Sequence, residues 1–320
     1  MGAFPSLLGD VPCDPSQPRG NLEPEAIAFL FFGSMTPSLL IQDFTDPGCP
    51  WAFSAEPQRW RLRWLFGDEI EWRPRMVVLS ETSAENEAKD FTSEMLAGGI
   101  RSLQRRYGMP IDSQERSRVP VTMPSCRAVV AVRLHAPEHE QAVLRRLRVL
   151  YMGGGLLDDE ALIRQAAEQA GIDGGDLMRW SAEPEVEDAL REDMAAARHP
   201  SPAALALDHK LAGWGENGGR RYTCPSYEIE RIADGSRLDV PGFQPIESYE
   251  AAVANLAPDL PRREDPDTVA EVLTWAGEPL ATAEVVGITG LDETRAREQL
   301  AAVAAFDPVG ADGYWTLRAT

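Results

Sequence analysis

A short stretch around residue 49, where a strand pattern runs directly into a helix pattern, constrains the fold more than any other feature. Residues 38–45 read Ser-Leu-Leu-Ile-Gln-Asp-Phe-Thr, an apolar run with a β-branched end that is typical of a buried strand. Asp-Pro-Gly-Cys-Pro-Trp-Ala follows at residues 46–52, and large apolar side chains then recur at helical spacing as far as residue 66. Pro50 suits the first position of a helix, because the N–H that proline lacks would have no partner there. The sequence therefore predicts a strand, a tight connection and a helix that begins at Pro50.

This arrangement puts Cys49 at the amino end of the predicted helix. Unpaired backbone N–H groups and the positive end of the helix dipole stabilise an anion at that position. A cysteine placed there is more acidic than a free thiol, and the thiolate is the form that attacks electrophiles. We predict that Cys49 is a reactive, nucleophilic cysteine.

A second segment, far along the chain, completes the pattern. Residues 220–229 read Arg-Arg-Tyr-Thr-Cys-Pro-Ser-Tyr-Glu-Ile, and a hairpin signal, Asp-Gly, follows at residues 234–235. A second strand pattern covers residues 69–79, and several helical patterns separate it from the Cys-Pro segment. In this order, residues 38–256 resemble thioredoxin-fold proteins of the DsbA family, particularly the cytoplasmic FrnE-like branch. The resemblance implies an α/β, thioredoxin-like fold with a large helical insertion.

The resemblance also implies the residues of a site. The family carries a cis-proline loop that lies against its catalytic cysteine, and Cys224-Pro225 matches this loop. Pro50, Trp51, Thr223 and Pro225 are then expected to contact the substrate. For Trp51 the alternative, that its ring anchors the helix on the core, stays open.

One position departs from the family pattern of Cys-Pro-x-Cys, because Ala52 stands where the second cysteine is usual. Cys49 therefore cannot close the usual disulfide within its own motif. We hypothesise that Cys224, which should face Cys49 from the proline loop, is a substitute resolving thiol, while Thr223 should point to the other side of its strand. Such a bridge needs the two Cα atoms within about 7 Å. The alternative is that Cys224 is a small buried filler, as free cysteines often are.

These observations predict a thiol-disulfide oxidoreductase that acts through a single active-site cysteine and forms a mixed disulfide with a protein or a low-molecular-weight thiol. No tightly bound cofactor is expected, although a thiol such as glutathione or mycothiol could serve as co-substrate. Two alternatives stay open: a transferase or isomerase of the same fold that uses a glutathione-type thiol, and a catalytically degenerate adaptor that binds other proteins. A homodimer is compatible with each of them.

The charge of the chain and its remaining cysteines bear on its partners and its compartment. The sequence has 51 acidic against 31 basic residues, a net charge of −20, which should repel nucleic acid and anionic membranes. Its four cysteines show no framework spacing, which favours a reducing, cytoplasmic location over a disulfide scaffold. Cys126 is predicted to be a core residue of a helix, and Cys13 to be a free thiol. The four histidines lack metal-ligand spacing, so no metal site is predicted.

Four regions are predicted: an N-terminal arm at 1–37, a thioredoxin-like domain at 38–84 and 200–256, a helical insertion at 85–199, and a module at 265–320. The arm lacks the basic start of a secretory signal, and no apolar run is long enough to span a bilayer. The last region has the helix, helix, helix, hairpin order of a winged helix. It carries ten acidic residues against three arginines, a net charge of −7, so a structural or protein-contact role is predicted rather than DNA binding.

Two boundaries follow from the same patterns. Residues 202–212 are predicted to form the helix that returns the chain to the sheet. Residues 292–306 are predicted to form the third helix of the C-terminal module, followed by a hairpin around Asp312-Gly313.

Overall fold

The computed structural model describes residues 36–215 and 218–318. The predicted N-terminal arm lies outside this part of the chain, apart from residues 36 and 37, and so does Cys13. The strands of the described residues are β1 (Leu39–Thr45), β2 (Ile70–Met76), β3 (Ala212–Trp214), β4 (Gly219–Arg221), β5 (Ser226–Arg231), β6 (Ser236–Val240), β7 (Leu280–Ala281), β8 (Ala304–Val309) and β9 (Asp312–Leu317).

Helices make up most of the remaining structure. They are α1 (Pro50–Ser54), α2 (Glu56–Phe66), α3 (Ser83–Ala88), α4 (Ser93–Tyr107), α5 (Met123–His135), α6 (Glu140–Met152), α7 (Glu160–Gln169), α8 (Gly174–Trp180), α9 (Pro184–Ala197), α10 (Pro202–Leu205), α11 (Ile246–Leu256), α12 (Val269–Ala276), α13 (Thr282–Thr289) and α14 (Glu293–Val303). No helix in the described ranges has both the length and the apolar character that a membrane span requires.

The central sheet has the strand order β2-β1-β5-β6, in which β1 is parallel to β2 and antiparallel to β5. Strand β1 is buried along its length, and its alternate residues face opposite sides: Leu39 and Ile41 join one core cluster, and Phe44 joins another. Phe44 pairs with Ser226 of β5. The carboxyl end of β1 therefore meets the residues that precede β5 at one edge of the sheet, and this pairing brings residues 49 and 224 together.

The helix predicted from Pro50 onward is present but broken. Ala55 separates α1 from α2, and Pro57 lies in the first turn of α2. Proline has no N–H to donate to the preceding turn, so the hydrogen-bond ladder of α1 cannot continue through it. Trp60 and Trp64 of α2 are buried, as expected from their helical spacing, and they belong to the core cluster beneath the sheet.

The region between β2 and α10 is helical, and α3 to α9 occupy it. Helix α5 is its centre, because residues 128–132 have no exposed surface and pack in a core that is distinct from the one beneath the sheet. The Gly153-Gly154-Gly155 run lies in the turn that follows α6.

The predicted helix at 202–212 is wrong over most of its length. Helix α10 ends at Leu205, a single turn follows at Asp208–Lys210, and the chain then forms the hairpin β3–β4. Leu205 and Leu207 are exposed and only Ala204 of the short helix is buried, so no apolar face holds a longer helix in place.

The C-terminal region contains α12, α13, α14 and a small sheet of order β7-β9-β8. The prediction of a helix as far as residue 306 is wrong at its end, because α14 stops at Val303 and the chain from Ala304 pairs with β9 as strand β8. Helix α13 packs closely on α2: a Cβ added at Gly287 would lie 2.9 Å from the Cβ of Pro57. The assignment of this region to the winged-helix fold stays a prediction.

Candidate active site

Cys49 is the residue that caps α1 at its amino end. Its backbone N–H donates to the carbonyl of Asp46 at 3.1 Å, and its own carbonyl accepts from Phe53 at 3.1 Å. A Cβ added at Gly48 would lie 2.7 Å from the Cγ2 of Thr122, so the connection before the cysteine is too tight for a side chain. The strand end, the glycine and the helix start therefore fix the position of Cys49.

Asp46 holds this connection to the rest of the molecule. Its buried carboxylate accepts from the N–H of Gly48 at 2.6 Å, the N–H of Leu79 at 2.8 Å and the hydroxyl of Thr122 at 2.8 Å. Burial raises the pKa of Asp46, and these hydrogen bonds oppose the rise. Sequence reasoning missed this residue because acidic residues are abundant in the chain. The available signal was its place in an Asp-Pro-Gly turn directly before the cysteine.

The sulfur of Cys49 lies against the backbone of Cys224. In the neutral form the Cys49 thiol donates to the carbonyl of Cys224 at 3.4 Å, a contact that favours the protonated state. The neighbouring side chain of Cys224 is the largest cause that lowers the pKa of Cys49. Burial opposes it, the N–H groups of Ala52 and Trp51 reinforce it, and the net result is a pKa below the ordinary value.

Cys224 and Pro225 form the loop that enters β5, and the peptide bond between them is cis. Cys224 is buried, and burial together with the neighbouring Cys49 sulfur raises its pKa well above the ordinary value. Both cysteines carry free thiols. The hydroxyl of Thr223 donates to the carbonyl of Lys210 at 2.9 Å.

A cavity of about 860 Å³ opens beside Cys49. Pro50, Trp51, Thr223 and Cys224 line it together with residues of α4 and the loop after β6. Cys49 itself is only 5% exposed.

Trp51 stands at the rim of this cavity. It is 42% exposed, and its ring meets Tyr107 at 5.9 Å and Phe243 at 6.1 Å in edge-on geometry. An anchor on the core would be covered, so the position of the ring favours contact with a bound molecule over the anchoring alternative.

Pro225 faces a different space. It is buried beside Asp43, Thr45 and Arg148 in a narrow polar pocket that α1 also lines. Among the described residues, Pro225 is not part of the lining of the large cavity. Arg148, on α6, contacts Glu56 and the hydroxyl of Thr45. Burial raises the pKa of Asp43, while the cations of Arg59 and Arg148 act against the rise.

A second arginine of α6 extends these buried charges toward the C-terminal region. Arg145 is bonded to both carboxylate oxygens of Glu284 at 2.7 and 3.0 Å, and to Glu278 at 2.8 Å. Glu284 in turn accepts from the N–H of Ala281 at 2.7 Å. Sequence patterns gave no sign of these pairs, since they join residues more than a hundred positions apart.

The remaining candidates lie away from the cavity. Cys126 is fully buried in the core of the insertion and contacts the Asp46 carboxylate at 3.5 Å. His135 stacks on Trp180 at 4.8 Å and pairs with Glu183 at 2.8 Å. Across residues 36–215 and 218–318, no group of three or more histidine, cysteine or acidic side chains is arranged to hold a metal ion.

Comparison with known proteins identifies the family of the chain. A protein-family model described as a DSBA-like thioredoxin domain matches residues 40–201, which contain β1, the cysteine helix and the helical insertion but not Cys224. A search of curated protein sequences finds no match.

Solved structures with the same fold include a candidate protein disulfide isomerase from Nitrosomonas europaea. It is 16% identical, the alignment covers 68% of this chain and 97% of that one, and the TM-score is 0.51. The cytosolic disulfide reductase DsbM from Pseudomonas aeruginosa is 15% identical, with 66% of this chain and 91% of that one covered and a TM-score of 0.45. The family match covers half of the sequence and confirms the predicted thioredoxin-like fold. The chain belongs to the family of DSBA-like thioredoxin domains.

Proposed function

We propose that the protein catalyses thiol–disulfide exchange, with Cys49 as the nucleophile and Cys224 as the thiol that resolves the mixed disulfide. The observation that carries this proposal is that the Cys49 sulfur lies 3.4 Å from the backbone carbonyl of Cys224, with both residues in the wall of the cavity. A pair built across the site replaces the pair that Ala52 makes impossible within the motif.

In the first step, the Cys49 thiolate attacks one sulfur of a bound disulfide, R–S–S–R′. The S–S bond breaks, a new bond joins Cys49 to R–S, and R′–S⁻ leaves and takes a proton from solvent. The two backbone N–H groups at Trp51 and Ala52 and the thiol of Cys224 stabilise the attacking anion before the reaction.

In the second step, Cys224 loses its proton and attacks the sulfur of Cys49, which releases R–S⁻. The negative charge on Cys49 is one cause of the high pKa of Cys224, and this charge is gone once Cys49 is in a mixed disulfide. The substrate is reduced to two thiols and the cysteine pair is oxidised to a disulfide. Two molecules of a low-molecular-weight thiol, of the glutathione or mycothiol class, then reduce the pair again and leave joined as their own disulfide.

We assign substrate contacts to Pro50, Trp51 and Thr223, because all three line the cavity. Pro225 is buried on the other side of the loop, so we assign it to holding Cys224 in position.

The test compares three variants with the parent in a coupled assay with a small neutral disulfide, bis-hydroxyethyl disulfide. Cys49→Ser should abolish turnover, and Cys224→Ala should accumulate the mixed disulfide at Cys49, visible by mass spectrometry. Cys13→Ser is the matched control and should behave as the parent. Mild oxidation of the parent should give a peptide pair linked through Cys49 and Cys224. Turnover that survives Cys49→Ser would refute the nucleophile, and an oxidised parent without that linkage would refute the resolving role of Cys224.

A further inference from the structure

We propose that the cavity beside Cys49 selects a small organic anion, a carboxylate-, sulfonate- or phosphate-bearing thiol or its disulfide with an apolar body. This inference depends on the proposed exchange reaction for its sulfur chemistry, but not for the binding itself. Four observations support it: the charge of the lining, the lack of carboxylate partners, the apolar floor and the size of the cavity.

The charge of the lining is opposite to the charge of the chain. The protein has a net charge of −20 and only two lysines, and both of them, Lys89 and Lys210, line the cavity. Arg106 and Arg221 line it too, whereas no aspartate or glutamate is among the lining residues in the part of the chain that the structure describes. Because the rest of this acidic surface repels anions, a cationic cavity wall should attract them locally.

These cations are not used in ion pairs with the described residues. Many arginine side chains elsewhere in the described residues are paired with a carboxylate, as Arg220 is with Asp208 at 2.5 Å. In contrast, Arg221 donates to a backbone carbonyl at 2.8 Å, and the nearest polar partner of the Lys210 ammonium is an amide oxygen at 3.5 Å. Arg106 and Lys89 have no carboxylate within 4.0 Å among residues 36–215 and 218–318. Their charges are therefore available to a ligand.

The floor of the cavity is apolar. Met95 of helix α4 is 56% exposed, Phe91 just before this helix is 37% exposed, and Phe243 completes the wall near Trp51. Large apolar side chains left open to solvent in a concave site mark a surface for a ligand. The ligand should thus combine an apolar body with its charge.

The size of the cavity indicates a small molecule. About 860 Å³ lies within the range of roughly 300–1,000 Å³ that small-molecule sites occupy. Because Cys49 and Cys224 form part of the wall, a sulfur of the bound molecule can reach the nucleophile. Exchange then follows the balanced steps given above, with the anionic disulfide as R–S–S–R′.

The first experiment compares exchange rates of three disulfides that differ mainly in charge: dithiodipropionate with two carboxylates, neutral bis-hydroxyethyl disulfide, and doubly cationic cystamine. At low salt we expect the dianion to react about tenfold faster than the dication, with the neutral disulfide between them and the preference shrinking as salt is added. Lys89→Gln and Arg106→Gln should each slow the dianion about two- to fivefold, the effect of one exposed ion pair, and slow the neutral disulfide by a smaller factor.

The matched control is Arg295→Gln, which removes one charge that is likewise exposed, from α14 and outside the cavity lining. It should leave all three rates as in the parent. Equal rates for the three disulfides, faster reaction of the dication, or an equal effect of Arg295→Gln would each overturn the proposal. A peptide disulfide flanked by acidic residues that outcompetes the small dianion would overturn it in favour of a peptide groove.

The second experiment measures binding without sulfur chemistry, so that failure of the exchange reaction can be told apart from failure of anion selection. Anilinonaphthalene sulfonate, an apolar ring system with one anionic group, is titrated by fluorescence into the Cys49→Ser protein. We expect saturable binding that weakens about two- to fivefold in the added Lys89→Gln or Arg106→Gln background and not in Arg295→Gln. Binding that is insensitive to all three changes would refute the cavity as an anion site, whatever the fate of the exchange assay.

Discussion

At the scale of single residues, the pKa values of the two cysteines of the site are shifted in opposite directions although the two residues are in contact. The pKa of Cys49 is lowered, first by the Cys224 side chain, and that of Cys224 is raised well above its ordinary value by burial and by Cys49. Two thiols in contact behave as one acid that loses its first proton easily and its second with difficulty. The backbone amides of Ala52 and Trp51 also lower the pKa of Cys49.

This arrangement predicts that Cys224 controls the reactivity of Cys49. Cys224→Ala removes the hydrogen-bond donor, so the pKa of Cys49 should rise and alkylation by iodoacetamide near neutral pH should become slower. Because the thiolate is the reactive form, a pKa that is higher by one reduces the rate roughly tenfold. The pH profile of alkylation measures the midpoint directly.

Cys224→Ser is the control, because its hydroxyl still donates although it cannot form a disulfide. Its profile should remain close to that of the parent. Equal profiles for the alanine variant and the parent would show that the backbone amides alone hold the thiolate.

At the scale of secondary structure, α6 connects the site to the C-terminal region. Arg148 contacts Glu56 at the start of α2 and Thr45 at the end of β1. Arg145, one turn earlier on α6, binds Glu284 on α13. All of these side chains are buried, so each charge depends on its partner.

Breaking the second of these pairs should destabilise the fold. Glu284→Gln leaves Arg145 buried with less compensating charge, and we expect the free energy of unfolding to fall by about 3 kcal/mol. Urea denaturation followed by circular dichroism measures the change.

The matched control is Glu293→Gln, which removes an exposed carboxylate that pairs with Arg297 one turn along α14. Its effect should stay below about 1 kcal/mol, as for other surface pairs. A loss in Glu284→Gln no larger than in this control would show that the remaining carboxylates around Arg145 compensate for the change.

At the scale of the whole molecule, the C-terminal region completes a core that begins beneath the sheet. Trp60 and Trp64 of α2 each meet Trp275 of α12 edge-on, at 5.6 and 5.0 Å. Residues of the sheet, α2, α11 and the C-terminal helices belong to one apolar cluster. The module is therefore part of the folded unit rather than an appendage of it.

A chain that ends at residue 264 should accordingly lose stability and associate with itself. It would expose the apolar face of α2 and leave Arg145 without Glu278 and Glu284, and large exposed apolar patches promote association. Light scattering and thermal unfolding test this expectation. A monomeric product that unfolds cooperatively at the parental temperature would contradict it.

The sequence indicated those parts of this structure that short-range chemistry decides. The strand before Cys49, the helix start at Pro50 and the hairpin at Asp234-Gly235 follow from local patterns, and the meeting of Cys49 with Cys224 came from the family resemblance. The structural role of Asp46 could not be predicted in the same way. It depends on hydrogen bonds from Leu79 and Thr122, which lie close to Asp46 only in the folded chain. The helix predicted after Leu205 likewise failed for a tertiary reason: Leu205 and Leu207 are exposed, so no packed apolar face holds a longer helix in place despite its helix propensity.

The two cysteines of the site are 175 positions apart along the chain. If oxidation joins them, the covalent ring encloses the whole helical insertion, and the chain-entropy relation for a ring of this length gives about 5 kcal/mol of added resistance to unfolding. In each catalytic cycle the chain would then alternate between a cross-linked, more stable state and a reduced, less stable one. The rate at which proteases digest the protein would then depend on the redox potential of its surroundings, with slower digestion under oxidising conditions.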